Sequence, residues 1–215
     1  MKINETLESL RVSYQASSLD AKDCDSDPLI QFDQWLQQAI LSKCDEPNSF
    51  ILSTVKNNRP RGRVVLLKGI HNSEFVFYTN YKSAKGDEIE KNENVALTFL
   101  WLPLQRQVRI EGKVTKVPEA LSDDYFGKRP RGSQIGAIAS PQSTILESRK
   151  SLEELFLRAE EKFEGEEKLP RPNHWGGYGI TPDYIEFWQG RPNRMHDRIC
   201  YKKDLDQWKI YRLAP

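Results

Sequence analysis

Between Ser49 and Val117 the hydrophobic pattern has a period of two, and this constrains the fold more than any other feature. The runs SFILSTV, RGRVVLLKG, EFVFYTN, NVALTFLW and QVRIEGKVTKV are β-branched or aromatic, and turn residues such as Asn57, Asn58 and Pro60 separate them. Five strands in about seventy residues leave no length for crossover helices, so an antiparallel sheet or barrel is expected, not a Rossmann arrangement. A short helical insert, roughly Lys85 to Lys91, separates the third and fourth strands. Upstream, Asp27 and Pro28 form an N-cap and N1 pair, and Leu29, Phe32, Leu36, Ala39 and Ile40 recur at helical spacing to about Ser42. After Pro118 the pattern turns helical again, with a stripe of Leu152, Leu155, Phe156, Ala159 and Phe163 on the longest helix. YIEFWQG, RICYKK and QWKIYRL read as late strands. The class is α+β, mainly β, with flanking helices. Residues 1–26, polar and rich in Ser and Asp, read as a mobile or partner-docked arm, and residues 27–215 as a single domain.

Charge and composition narrow the function. The 32 Lys and Arg against 31 Asp and Glu leave a net charge of +1, so no global field draws nucleic acid or an anionic membrane. No apolar run approaches the roughly 20 residues of a membrane span, and MKINETLESL lacks the apolar core of a signal peptide, so a cytoplasmic location is expected. Cys24, Cys44 and Cys200 have no CxxC spacing and read as ordinary thiols. GxGxxG, GxxxxGK[ST] and GxSxG are all missing, and His71, His174 and His196 lack metal-ligand spacing, so no metal is expected. Arginine, lysine, hydroxyl and amide groups remain, the set that binds phosphates and planar heterocycles.

Those groups are clustered. WQGRPNRMHDR, Trp188 to Arg198, crowds three arginines and a histidine directly after a strand, which suits an anionic planar ligand. In RVVLLK, alternation sends Arg63, Val65 and Leu67 to one side and Val64, Leu66 and Lys68 to the other, so one strand could serve two pockets; an edge strand with protective charges gives the same pattern. YTNYKSAKG places hydroxyls, Ser83 and Lys85 where a strand gives way to a helix, a phosphate-favouring position, though a plain turn and cap looks alike. Gln107 in RQVRIEG can pair with a heterocycle edge or simply face solvent. Tyr125, Arg129, Arg131 and Ser133 offer two hydroxyls and two guanidinium forks within nine residues, which suits a phosphate monoester and also a solvated helix end.

RVVLLK, FYTN with SxKG, RQVRIEG, YFxxRPRxSQIGAxAS with QS, WGGY, IEFWQG, RMHDR and the terminal RLAP occur here in one order. From about Pro28 to Pro215 the chain thereby resembles the pyridoxine (pyridoxamine) 5'-phosphate oxidases. The resemblance implies an FMN-binding split β-barrel of antiparallel Greek-key type, a homodimer with flavin at the subunit interface. It implies oxidation of pyridoxine 5'-phosphate and pyridoxamine 5'-phosphate to pyridoxal 5'-phosphate in vitamin B6 metabolism, with O2 reduced to H2O2. FMN contacts then fall on Arg63, Val64, Val65, Leu66, Leu67, Lys68, Tyr78, Thr79, Lys85, Gln107, Gln142, Ser143, Trp188 and Arg198. Substrate contacts fall on Lys68, Tyr125, Arg129, Ser133, Arg194, Met195 and His196, with Arg194 and His196 as the catalytic pair, on one side of the chain if that segment is extended. Hydride would pass from C4' of the substrate to flavin N5, with Arg198 stabilising the reduced ring and His196 acting as base or not. One position departs: where the family usually has Arg in SRKG, this chain has Ala84. A missing charge-assisted hydrogen bond, about 1.5 to 3 kcal/mol, should weaken FMN roughly tenfold or more unless Lys82 or Lys85 compensates. A phenazine-pathway oxidase on the same barrel, or a non-catalytic binder of FMN or pyridoxal 5'-phosphate, would share much of this pattern.

Overall fold

The computed structural model describes Leu7, Leu10 and residues 13–215, so the first part of the expected N-terminal arm falls mostly outside the described residues. The described elements are helix α1 (Pro28–Leu41), strands β1 (Ser49–Lys56), β2 (Arg59–Leu66), β3 (Gly69–His71) and β4 (Glu74–Asn80), helix α2 (Ala84–Lys91), and strands β5 (Asn94–Trp101) and β6 (Arg106–Lys116). Helices α3 (Glu119–Lys128), α4 (Arg131–Ala139) and α5 (Arg149–Lys162) follow, then β7 (Trp175–Gln189), β8 (Asp197–Asp204) and β9 (Gln207–Arg212). Strands hydrogen-bond in the order β2-β1-β5-β6-β7-β4-β3, with β8 on β7 and β9 on β8. No helix among the described residues is long and apolar enough to cross a membrane.

Turn chemistry sets the registers. Lys56 pairs with Arg59 across a two-residue loop whose Asn57 and Asn58 both have positive φ, 51° and 59°, the backbone twist that a tight hairpin needs and that Asn tolerates. Asn72 and Ser73, at 51° and 65°, do the same between β3 and β4. Pro60 lies in β2, at one end of the strand order, where a lost ladder donor costs little. The single strand expected over RGRVVLLKG is two: β2 ends at Leu66, the Lys68 N–H donates to the Val76 carbonyl, and the chain then joins β4 as β3. Strand β7 is longer than its apolar run. Its first half, WGGYGITP, was not legible as a strand because glycines and Pro182 interrupt the alternation.

Contacts divide the chain into two compact units. Unit 1 comprises Met1–Asn48, Leu97–Ile110 and Asp183–Pro215; unit 2 comprises Ser49–Ala96 and Glu111–Pro182. In unit 1, the Asp27 side chain accepts from the Leu29 N–H at 2.8 Å and starts α1, which buries Phe32, Trp35 and Ala39. Ile40, expected on that stripe, is exposed instead. Phe32 meets Phe99 edge-on at 5.0 Å, and Trp35 meets Phe187 at 5.1 Å. The described part of the N-terminal arm is pinned to this unit. Gln105 Oε1 accepts from the Gln15 and Ala16 N–H groups, Arg191 and Arg212 donate to the Ser17 and Leu19 carbonyls, and Leu19 is buried. In unit 2, α3 to α5 enclose a core of Phe126, Ile135, Ala159, Phe163, Leu169 and Trp175, each large side chain worth about 1.5 to 3 kcal/mol of burial.

Candidate functional site

Unit 2 holds a cavity of about 770 Å³, within the size range of small-molecule sites. Val64, Val65, Leu66 and Lys68 line it from the end of β2, Tyr78, Thr79 and Asn80 from β4, and Lys85 from α2. Tyr125, Lys128, Arg129, Pro130, Ser133, Gly136 and Ala137 close it from α3 and α4, with Ser140, Gln142 and Trp175. Successive residues of β2 share the cavity, so the expected alternation into two pockets does not hold.

One wall is a stack of rings. Tyr78 lies against Tyr125 at 4.0 Å and 15°, and against Trp175 at 5.6 Å and 11°. Gly177 pairs with Tyr78 across the ladder, and a Cβ there would come within 2.8 Å of the Tyr78 ring, so glycine in WGGY is what admits the stack. Burial pushes the Tyr78 hydroxyl up to about 12, which keeps it protonated. The Arg129 guanidinium lies over the Trp175 ring at 4.7 Å, and its Nη1 is buried without a hydrogen-bond partner. Burial lowers the Arg129 pKa, Tyr125 partly offsets this, and arginine nonetheless stays charged at neutral pH. A buried donor left unsatisfied costs about 1 to 3 kcal/mol, so this one calls for an acceptor. Arg131, the second fork read from the sequence, is committed elsewhere: it donates to the Glu166 and Phe163 carbonyls.

The opposite end is built around Lys85. The Ser83 hydroxyl caps α2, accepting from the Gly86 N–H at 3.4 Å, and a Cβ on Gly86 would strike the Tyr81 carbonyl, so only glycine lets the helix begin this close to β4. Lys85 Nζ donates to Thr79 Oγ1 (3.0 Å), Ser83 Oγ (3.1 Å) and Gln142 Oε1 (2.9 Å). Burial, then repulsion from Arg63, lowers its pKa to about 8, with Glu88 acting weakly the other way. An anion bound at Lys85 restores the ammonium, so its affinity should fall as pH rises through 8. Between pH 7 and 9 the Kd of a phosphate ligand rises roughly tenfold, and Lys85→Arg removes that slope, as titrations at the two pH values would read.

The expected contacts divide between the units. Arg63 does not line the cavity: it pairs with Glu88 at 2.7 Å and donates to Thr54 Oγ1, because a buried carboxylate outcompetes solvent for its fork. Leu67 is buried and Ser143, with φ 71°, is exposed; neither lines the cavity. Lys82 lies on a separate cavity beside Lys116 and His174, and so does not stand in for the arginine missing at position 84. Gln107, Trp188, Arg194, Met195, His196 and Arg198 belong to unit 1. There Trp188 and Arg198 face each other in the β7–β8 register, and Arg198 holds Glu186 through Nε (2.8 Å) and Nη2 (2.9 Å). The His196 ring lies 4.6 Å from Trp188, and its Nδ1 accepts from the Arg191 N–H at 3.1 Å. Arg194 and Met195 are exposed. Arg194 ends a 3₁₀ turn (Pro192–Arg194) with φ 60°, so the segment is not extended, and alternation does not set its side beside His196. Trp175, Asn80 and Ala137 line the cavity with no role read for them. The ring stack was the missed signal, since only the fold brings Tyr78, Tyr125 and Trp175 together. Among the described residues no three His, Cys, Asp or Glu side chains could hold a metal.

The Pyridoxamine 5'-phosphate oxidase family profile matches residues 36–162, and that of the Pyridoxine 5'-phosphate oxidase C-terminal dimerisation region matches 175–215. The chain belongs to the pyridoxine/pyridoxamine 5'-phosphate oxidase family. A pyridoxine/pyridoxamine 5'-phosphate oxidase of Burkholderia thailandensis is 50% identical over 214 residues, covering 98% of this chain and 99% of the relative; one of Burkholderia mallei is 50% identical over 217. Among solved structures, PhzG from Burkholderia lata, in complex with tetrahydrophenazine-1-carboxylic acid, superposes with a TM-score of 0.87 at 26% identity, over 95% of this chain and all of that one. A pyridoxamine 5'-phosphate oxidase-related FMN-binding protein from Nostoc punctiforme gives 0.72 at 15% identity, over 89% and 100%, and shares the fold. The fold of the oxidase family is the FMN-binding split β-barrel, and its cofactor is FMN. The donors present fit that group: a cationic Lys85 among hydroxyls suits the phosphate, and the apolar Val64–Leu66 strand end suits a ring.

Proposed function

We propose that this chain oxidises pyridoxine 5'-phosphate and pyridoxamine 5'-phosphate to pyridoxal 5'-phosphate. The buried, unpartnered Arg129 Nη1 on the cavity carries the reading, because it asks for an acceptor that a substrate phosphate supplies. Lys68, Tyr125 and Ser133 line the same cavity and complete a clamp for a phosphate monoester. At the other end Lys85, Thr79 and Gln142 hold the FMN phosphate, with Tyr78 beside them and Val64 to Leu66 along the flavin. FMN supplies two-electron oxidation of the substrate C4' carbon and passes the electrons to O2, giving H2O2.

Unit 1 residues complete the site across a homodimer interface, a reading supported by the match of residues 175–215 to a dimerisation region and by the exposed Ile145 beside Gln142. Gln107, Trp188 and Arg198 then meet flavin, with Arg198 facing the negative charge of the reduced ring. Arg194, Met195 and His196 cover the substrate ring. Since His196 Nδ1 accepts from a backbone N–H, the proton of the neutral imidazole is on Nε2, so this histidine donates to the substrate hydroxyl or leaving group rather than taking a proton. Arg194 is held in the left-handed region, a strain of the kind found at ligand clamps. Arg194→Ala is expected to lower turnover about a hundredfold with FMN content retained; turnover near wild type would sink the assignment.

The deciding measurement is O2 consumption by FMN-reconstituted protein. Uptake with both phosphorylated vitamers, and little with the unphosphorylated ones, is expected. The PhzG likeness favours one second reading, oxidation of a reduced phenazine carboxylate, and uptake with that substrate alone would select it.

A further inference from the structure

Lys128 is a cation on the cavity that the clamp of Lys68, Tyr125, Arg129 and Ser133 leaves unused. It is the last residue of α3, three residues beyond Tyr125, so helical spacing brings both onto the face that lines the cavity, next to Arg129. Its Nζ donates to Asp124 Oδ2 at 2.6 Å, and the two side chains are 70% and 55% exposed. Asp124, one turn earlier on α3, is not part of the lining. An ion pair this open to water is weak, because solvent screens both charges and ordering the lysine stem costs entropy. Lys128 is therefore free to exchange Asp124 for a stronger acceptor.

Charge counting shows what the cavity would use it for. Lys68, Lys85, Lys128 and Arg129 line it, and no Asp or Glu does. Two phosphate monoesters, that of FMN and that of the substrate, each carry about −1.5 to −2 charge near neutral pH. Lys68, Lys85 and Arg129 alone leave an excess of anion at the upper end of that range, and Lys128 removes it. Its ammonium is a compact charge on a flexible stem with rotatable donors, which suits a group that must move between two acceptors.

We propose that Lys128 is a specificity-determining residue for a phosphorylated substrate. Asp124 holds its ammonium at the exposed rim while the site is empty, and the ammonium passes to the substrate phosphate when that group seats at Arg129. The proposal rests on the reading of Arg129 as the anchor of the substrate phosphate.

The test is O2 consumption by FMN-reconstituted protein with pyridoxamine 5'-phosphate. Lys128→Met, at an exposed position, should raise KM about five- to tenfold with kcat within about twofold of wild type, and Lys128→Arg should restore KM to within about threefold. Asp124→Asn removes the competing anion, so it should lower KM about threefold in the wild-type background and leave it unchanged in Lys128→Met. Inorganic phosphate, as a competitor of the substrate, should inhibit Lys128→Met several-fold less than wild type. A Lys128→Met KM within about twofold of wild type overturns the proposal. So does equal inhibition of both proteins by phosphate, or an Asp124→Asn effect of the same size in both backgrounds, since that is a surface field without exchange of partners. Arg129→Met, measured alongside, separates this proposal from its parent. If it too leaves KM unchanged, the phosphate lies elsewhere and both readings fall; if it raises KM while Lys128→Met does not, only the role of Lys128 is lost.

Discussion

Arg129→Met raises the KM for pyridoxamine 5'-phosphate on the order of a hundredfold or more, while FMN binds as in the wild type. The size follows from what is lost: a guanidinium makes charge-assisted hydrogen bonds worth about 1.5 to 3 kcal/mol each, and a forked contact to phosphate makes two. Methionine replaces the guanidinium over the Trp175 ring with an unbranched, polarisable side chain that packs well against aromatic rings, so the ring wall persists. The orphaned Nη1 also disappears, so the variant should fold at least as well as the parent, which separates lost binding from lost structure. Steady-state kinetics paired with flavin absorbance would decide it. A KM within a few-fold of wild type would mean that the substrate phosphate lies elsewhere.

The second large effect is on stability. Arg198→Ala leaves Glu186 buried, with a side chain 2% exposed, without its bidentate partner. Breaking a buried ion pair from one side costs about 3 to 5 kcal/mol, or roughly 10 °C in Tm for a chain of this length. The Arg109 contact, at 3.4 Å, is too long to replace it, and the Tyr184 hydroxyl, already donating to Glu186, supplies no charge. Glu186→Gln with Arg198→Ala should recover most of the loss, since no ion is then left unpaired. A single variant that melts within a degree or two of wild type would refute the argument. The same pair gives a pH signature. Burial alone would raise the Glu186 pKa, but the hydrogen bonds from Arg198 and Tyr184 and the Arg198 charge bring it below its ordinary 4.5. A depressed carboxyl contributes stability that is present above pH 4.5 and lost as pH falls through the folded value, so melting temperature should drop on the acid side and less steeply in Glu186→Gln.

Much of this was legible in the sequence, and the exceptions have physical causes. Alternation marked β1, β5 and β6 to within a residue or so, because one face of each is the more buried: Val95, Leu97, Phe99 and Trp101 in β5, for instance; β4, buried on both faces, was marked by its apolar and aromatic run. Alternation failed where glycine takes the place of a side chain for the sake of a neighbouring ring, as in WGGY. Cationic residues pointed to an anion site, yet charge in a sequence does not say which cations are already spent. Arg131 is used on carbonyls and Arg63 on Glu88, while Arg129 and Lys85 face the cavity. Glu88 drew no notice because an acid in AKGDEIEK reads as a solvated helix face until Thr54 and Arg63 are seen around it.

The division into units bears on how the chain is made. Unit 2 ends at Pro182, whereas unit 1 needs the last segment, 183–215, to be complete. At roughly 5 to 20 residues per second, translation of those 33 residues takes about two to seven seconds. The cavity draws only on residues up to Trp175, whereas α1 and its Trp35 wait for Phe187 until that interval. The nascent chain is thus most exposed to aggregation late in synthesis, and truncation anywhere beyond Pro182 should be tolerated by the cavity far better than by the N-terminal helix.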